Sequence, residues 1–296
     1  MNKQLIPDIT LSNGVTIPHL GFGVAELKGM DIIENAIHTA LDCGYRFFDD
    51  APFYENEPEV GKVLRESGVK REELFICSKL PNACHAYDKT LKAFETSMKA
   101  MGLDYLDMYL IHFPVPSQDL FCDAWRAMER LYREGVVRVI GLSNFMEPHI
   151  QKILDHCEIV PQTIELEVNP YYTTPNLRKM CLDNHMHVIN WFPLGGPAHP
   201  LIPYPEYEDK RVLLEDVVIE EIARKYGKTN AQVILRWAVE NGMTPIPKSS
   251  KPHRIAENCD IFDFQLTPEE VARIDALNHD RRFGPDNYTY DDMTMG

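Results

Sequence analysis

Four side chains suited to proton chemistry stand at or just after the ends of three apolar stretches in this chain. The first stretch, Gly44 to Gly61, reads GYRFFDDAPFYENEPEVG. A glycine leads into Tyr45, Phe47 and Phe48, residue types that favour strands. The run ends in two carboxylates, Asp49 and Asp50, and Tyr54 follows one short loop later. A free tyrosine has a pKa of about 10, so near neutral pH it needs a neighbouring cation to handle a proton. Lys79, which closes the next strand-like run (LFICSK, from Leu74), is the best-placed cation. The run after that, Tyr105 to Ile111, leads directly into His112. In a parallel barrel the C-terminal strand ends converge on one face, so Asp49, Tyr54, Lys79 and His112 would meet there.

The elements that would position them alternate regularly. Ile9 to Gly21 carries Asn13-Gly14 between two apolar runs, a hairpin signal. Leu20 to Val24 reads as the first barrel strand. Its GFG at 21–23 does not extend to a dinucleotide-binding GxGxxG, because Glu26 stands where the third glycine belongs. Helices are expected over Asp31–Asp42 (Asp31 as N-cap, Gly44 just past the end), Glu57–Ser67, and from an Asp88 cap to Met101. Further helices are expected over Leu120–Glu134, Glu147–His156 and Pro175–Asn184. Strands Val136–Leu142, Thr163–Val168 and His187–Phe192 alternate with these. Helices near Glu215–Tyr226 and Asn230–Glu240 then precede a last strand, Thr244–Pro247. Pro252–Asn258 and Pro268–Leu277 read as closing helices. Eight strands with intervening helices predict an α/β chain: a (β/α)8 TIM barrel with an N-terminal β-hairpin and extra C-terminal helices, forming one domain over residues 1–296.

Composition agrees. The 296 residues suit one barrel of ~250 residues plus additions. A net charge of −15 argues against a general nucleic-acid or anionic-membrane surface. The cysteines, at 43, 77, 84, 122, 157, 181 and 259, are odd in number and form no CxxC pair, which reads as reduced thiols in the cytoplasm. No apolar leader opens the chain, and no run approaches ~18 apolar residues. His185 and His187 lack further ligands nearby, so no metal is expected.

At the four proton-handling residues a specific resemblance emerges. The chain resembles the aldo-keto reductases, barrels that use NADPH, or less often NADH, to reduce carbonyls. It is most similar to bacterial-type, short-loop members such as 2,5-diketo-gluconate reductase-like enzymes. The Asp after GYRxx, the Tyr before xNE, the Lys of SKL and the His of LIHxP form that family's catalytic tetrad. They correspond here to Asp49, Tyr54, Lys79 and His112. By resemblance, Tyr54 protonates the carbonyl oxygen, Lys79 lowers its pKa, Asp49 holds Lys79, and His112 orients the carbonyl. The match runs from about Ile9 to Phe283.

The resemblance also implies cofactor contacts. KSSKPHRIAEN after the last strand matches KSxxxxRxxEN and assigns Lys248, Ser249, Arg254, Glu257 and Asn258 to the adenosine 2′-phosphate and adenine of NADPH/NADP+. GLSNF assigns Ser143 and Asn144 to the nicotinamide carboxamide. The long segment Pro193–Lys210, with Leu194, would cover the pyrophosphate. Three positions depart from the family pattern: Glu165 replaces a carboxamide-binding Gln, Asp50 an expected Thr, and Trp191 the ring-stacking Tyr. Ionised beside the ring, Asp50 and Glu165 would favour the cationic oxidised nicotinamide; protonated or averted, they would not. Val24 or Ala25, Phe53, Pro81 and Phe113 are the expected substrate wall, with less aromatic bulk than in relatives. The tail from Arg281 either leans over that wall or is disordered. The expected function is carbonyl reduction by an enzyme expected to be a monomer and to act on a small molecule. The alternatives are an NADP+-dependent alcohol dehydrogenase of hydroxysteroid type and a cofactor-sensing regulator with little turnover.

Overall fold

A two-stranded antiparallel hairpin opens the chain, β1 (Asp8–Thr10) pairing with β2 (Thr16–Pro18). Between them Asn13 donates to the Arg138 carbonyl at 3.1 Å, tying the turn to the barrel. The computed structural model describes residues 5–195 and 212–293. Most of the Pro193–Lys210 segment singled out from sequence therefore lies outside the described residues.

Eight parallel strands follow in chain order: β3 (Gly21–Gly23), β4 (Phe47–Asp49), β5 (Phe75–Leu80), β6 (Leu106–Ile111), β7 (Val137–Ser143), β8 (Thr163–Glu167), β9 (His187–Trp191) and β10 (Thr244–Pro245). Helices α1 (Met30–Cys43), α2 (Glu57–Glu66), α3 (Tyr87–Met101), α4 (Phe121–Arg133), α5 (Glu147–His156) and α6 (Pro175–Asp183) alternate with them as far as β9. Two helices, α7 (Val217–Tyr226) and α8 (Asn230–Glu240), precede β10. After it come α9 (Pro252–Cys259), which packs against α1, and α10 (Pro268–Asp275). The result is a nearly closed (β/α)8 barrel.

The seam lies between β3 and β10. β10 is shorter than expected because Pro245 and Pro247 have no N–H to extend a ladder. One hydrogen bond bridges the gap, from Gly23 N–H to the Pro247 carbonyl at 3.2 Å. A Cβ on Gly21 would stand 2.6 Å from Ile246 Cγ2 and 2.7 Å from the Phe47 ring. The GFG glycine thus serves close packing at the seam.

Strand alternation sorts the side chains into two layers. Phe47, Phe75, Cys77, Met108, Leu110, Val139, Ile189 and Ile246 fill the barrel, with Leu11 and Ile17 of the hairpin packed among them. Phe22, Phe48, Ile76, Tyr109, Ile140 and Ile164 face the helices in a larger core. The interior series continues upward to Asp49, Lys79, His112, Ser143, Glu165 and Trp191. This alternation corrects one expectation: Val24, fully buried, belongs to the helix-facing core and not to the mouth.

Two cap assignments also change. Helix α1 starts at Met30 with Gly29 (φ 88°) as its cap, and α3 starts at Tyr87 after Ala86. Asp31 and Asp88 sit instead in the first turns, where a negative charge favours the helix dipole. Among the described residues no helix is long and apolar enough to cross a membrane.

Candidate active site at the C-terminal end of the barrel

Lys79 is the hub. Its Nζ donates to both Asp49 carboxylate oxygens at 2.7 Å, to the Asp50 carbonyl at 3.3 Å and to the Tyr54 hydroxyl at 3.2 Å. A buried ammonium survives only when so partnered. Burial lowers the Lys79 pKa, but the surrounding acidic groups, Asp49 first and Glu165 next, together raise it by more, and the group stays cationic. A three-residue 3₁₀ turn, Pro52–Tyr54, carries the tyrosine from the end of β4 back over the barrel. His112, just past β6, sets its ring edge-on to Tyr54 at 6.1 Å. Burial, with Lys79 adding, holds its imidazole neutral, and Nδ1 makes no hydrogen bond among the described residues.

Burial outweighs the Lys79 ammonium, which draws the Tyr54 pKa down as expected. Burial pushes its pKa up, Lys79 opposes, and Asp49 and Glu165 push it further up. Tyr54 is therefore a neutral phenol with a proton to give, pointing at a cation that would stabilise the phenolate left behind.

Beside this cluster, Ser143 pairs in register with Glu165 across β7 and β8. Asn144 donates to the His112 carbonyl at 3.0 Å and accepts from Trp191 Nε1 at 3.0 Å. Glu165 Oε2 lies 3.4 Å from Lys79 Nζ and has no further hydrogen-bond partner among the described residues. Burial, reinforced by Asp49 and opposed by Lys79, raises Glu165 to about 8. Burial and the Glu57 carboxyl likewise hold Asp50 well above the usual carboxylate range. Burial thus favours the protonated alternative for both groups, and with a value of about 8 Glu165 is a neutral acid near pH 7. A neutral Glu165 offers an O–H and a C=O, the same donor and acceptor pattern as the Gln it replaces.

A second polar group stands after β10. Lys248 lies 3.5 Å from Glu26, and the Ser249 hydroxyl accepts from Lys251 N–H at 3.0 Å. Arg254 is exposed in the first turn of α9, whose N-terminus has no side-chain cap. Asn258 is buried, while Glu257 accepts from the Thr229 hydroxyl at 2.8 Å. Open N–H groups with a Lys and an Arg suit a phosphate. The orphaned buried atoms of His112 and Glu165 suit a polar ring and a carbonyl in the barrel mouth. The residues present thus fit a phosphorylated nicotinamide dinucleotide.

The tail settles over the mouth, one of the two outcomes left open. Tyr290 packs on Phe113 at 4.7 Å, in a cluster that includes Val115 and Phe53. Asn287 donates to Asn144 Oδ1 at 3.3 Å, and Asn82 to the Asp292 carbonyl at 2.8 Å. Of the expected wall, Phe53 and Phe113 join this cluster, Pro81 is buried just past the end of β5, and Ala25 and Leu194 are half-buried. Sequence reasoning missed the residue that anchors the tail. Glu167, two positions beyond Glu165 on the same face of β8, accepts from the N–H groups of Phe283 and Gly284, the latter at 2.8 Å. The ExE alternation was its only signal.

The model of the Aldo/keto reductase family matches residues 19–279. The chain belongs to that family. It is 42% identical to glyoxal reductase of Bacillus subtilis over 285 residues, covering 96% of this chain and 98% of that one. It is 38% identical to methylglyoxal reductase DkgA of Escherichia coli O157:H7 over 280 residues, covering 94% and 96%. Among solved structures, an aldo-keto reductase of Bombyx mori in complex with NADP superposes with a TM-score of 0.84, at 35% identity and 94% coverage of each chain. This aldo-keto reductase is an oxidoreductase acting on carbonyl groups, and its family uses nicotinamide cofactors.

The raised carboxyls of this reductase affect its stability. Glu165 and Glu167 keep protons up to about 8 and about 7 when folded, but release them near the ordinary glutamate value when unfolded. Over that window the folded chain binds more protons, so stability falls as pH rises. Buried histidines act oppositely: His85 is lowered to about 4 and His187 to about 3 by burial, and their effect is complete above the ordinary histidine value of about 6.5. A falling limb is therefore expected from about pH 6.5 to 8.5. Melting temperatures across that range measure it, and the slope should be shallower in Glu165→Gln. A flat or rising limb in the wild type would count against the buried neutral acids.

Proposed function

We propose that this chain reduces an aldehyde or ketone to the alcohol with NADPH, Tyr54 acting as the general acid. The observation that carries the reading is the Asp49–Lys79–Tyr54 cluster beside His112 at the open end of the barrel. The nicotinamide, when bound, supplies the hydride. Every other role falls to the chain. Ser143, Asn144 and Glu165 hold the carboxamide, Trp191 offers a flat platform for the ring, and His112 orients the carbonyl oxygen toward Tyr54. Tyr54 then protonates that oxygen, and Lys79 stabilises the phenolate. Asp49 keeps Lys79 charged and in place. The named activities of the bacterial relatives make small dicarbonyls the first substrates to try, and the aromatic cluster of Phe53, Phe113 and Tyr290 would take an apolar substituent.

The test is consumption of NADPH against a panel of glyoxal, methylglyoxal, simple aldehydes, sugar ketones and steroid ketones, run beside Tyr54→Phe. Turnover that depends on Tyr54 supports the reading. Binding of NADPH with no turnover across the panel would favour a regulatory role.

The preference for NADPH rests on Lys248 and Arg254. Arg254→Ala is expected to reduce the ratio of NADPH to NADH affinity about 10–100-fold, the usual worth of one charge-assisted bond. The two affinities, measured by quenching of protein fluorescence, check this. An equal loss for both cofactors would remove Arg254 from the 2′-phosphate site.

A further inference from the structure

We propose that Glu165 lets this site tell oxidised from reduced nicotinamide by charge: it stays a neutral acid beside the reduced ring and releases its proton when the cationic oxidised ring binds. The inference rests on the reductase reading above and deepens it. The geometry places Glu165 where the distinction is felt. Its strand partner Ser143 and the adjoining Asn144, whose N–H donates to the Glu165 carbonyl at 2.9 Å, are the carboxamide candidates. Its side chain is buried, and beyond the Lys79 ammonium at 3.4 Å its Oε2 has no hydrogen-bond partner among the described residues. A Gln at this position has no proton to lose.

The groups facing Glu165 set its balance. Asp49 from β4 opposes its ionisation, Lys79 from β5 favours it, and burial holds the proton on up to about 8. Tyr54 and Cys77 also feel its charge, and both are held neutral by burial. His112 is held neutral. Trp191 on β9, and Ser143 and Asn144 at the end of β7, carry no charge. Glu167, on the same strand, is occupied with the tail. Net charge at the mouth is therefore close to zero, which suits the neutral reduced ring. A cation arriving in so dry a site shifts the nearest titratable acid toward its charged form. In turnover that proton has a route to the Tyr54 phenolate. Lys79, 3.4 Å from Glu165 and 3.2 Å from the Tyr54 oxygen, passes one proton on and takes up another.

The experiment is isothermal titration of the full chain with NADP+ and with NADPH at pH 7, each in two buffers of different ionisation heat. Any proton change at the shared 2′-phosphate cancels between the two ligands. The expected result is that NADP+ releases about one proton more than NADPH does. In Glu165→Gln that difference should vanish. Equal proton counts in the wild type would overturn the proposal, as would a difference that persists in Glu165→Gln, which would point to Tyr54. A pH series on the wild type needs no variant. NADP+ affinity should rise about tenfold per unit up to about pH 8 relative to NADPH, and a constant ratio overturns the proposal. Absence of binding by either cofactor instead defeats the reductase reading on which it rests.

Discussion

Tyr54→Phe is expected to lower carbonyl reduction about 10²–10⁴-fold, the range a positioned general acid contributes. The substitution removes one oxygen from a group whose partner among the described residues is Lys79, at 3.2 Å. Lys79 keeps both bonds to Asp49, so the buried ion pair survives and the fold should be intact. The ring also keeps its edge-on contacts with His112 and Phe53. NADPH affinity should therefore stay within a few-fold while kcat falls. Initial rates with the best substrate of the panel, together with NADPH binding, separate these quantities. A variant that keeps more than a tenth of the wild-type kcat would show that the proton comes from elsewhere, with His112 the nearest alternative.

Lys79→Met should cost stability as well as activity. The ammonium is fully buried and holds Asp49 through two 2.7 Å bonds. Without it, a buried carboxylate faces Glu165 and Asp50 with no counter-charge. Breaking one side of a buried pair typically costs about 3–5 kcal/mol, which in a chain of this size lowers Tm by on the order of 10 °C. Adding Asp49→Asn should recover part of the stability and none of the activity, since the phenolate still lacks its cation. Melting curves of the two single variants and the double variant test this. Strictly additive losses would mean that the pair is not coupled as the distances imply.

Much of this was legible in the chain. The alternation of strand-forming and amphipathic stretches marked all eight barrel strands, and α5 and α8 fall where expected, at Glu147–His156 and Asn230–Glu240. Local signals suffice there because a strand between turn residues, or a helix closed by Gly44 in left-handed geometry, is specified by its neighbours. The strand-end positions of Asp49, Lys79 and His112 were likewise readable, since chain order and right-handed crossovers send those ends to one face. Cap residues were less so, because Asp31 and Asp88 are equally at home in the cap or in the first turn.

What the sequence determined by itself was the barrel, the four residues at its mouth and the Lys-Arg pattern of Lys248 to Asn258 that we propose for a phosphate. These depend on residue type and order. Only the tertiary structure decided which groups are charged. The sequence left open whether Glu165 and Asp50 are ionised or protonated. Their pKa values rise because the fold buries carboxyls together, Glu165 beside Asp49 and Asp50 beside Glu57, and burial outweighs the ammonium of Lys79. The direction of Val24, set by its place in the alternation of β3, and the tail held by Glu167, a contact between residues more than a hundred positions apart, were decided the same way. Pattern along a chain reports which elements form; solvation and charge depend on what the fold packs around each group.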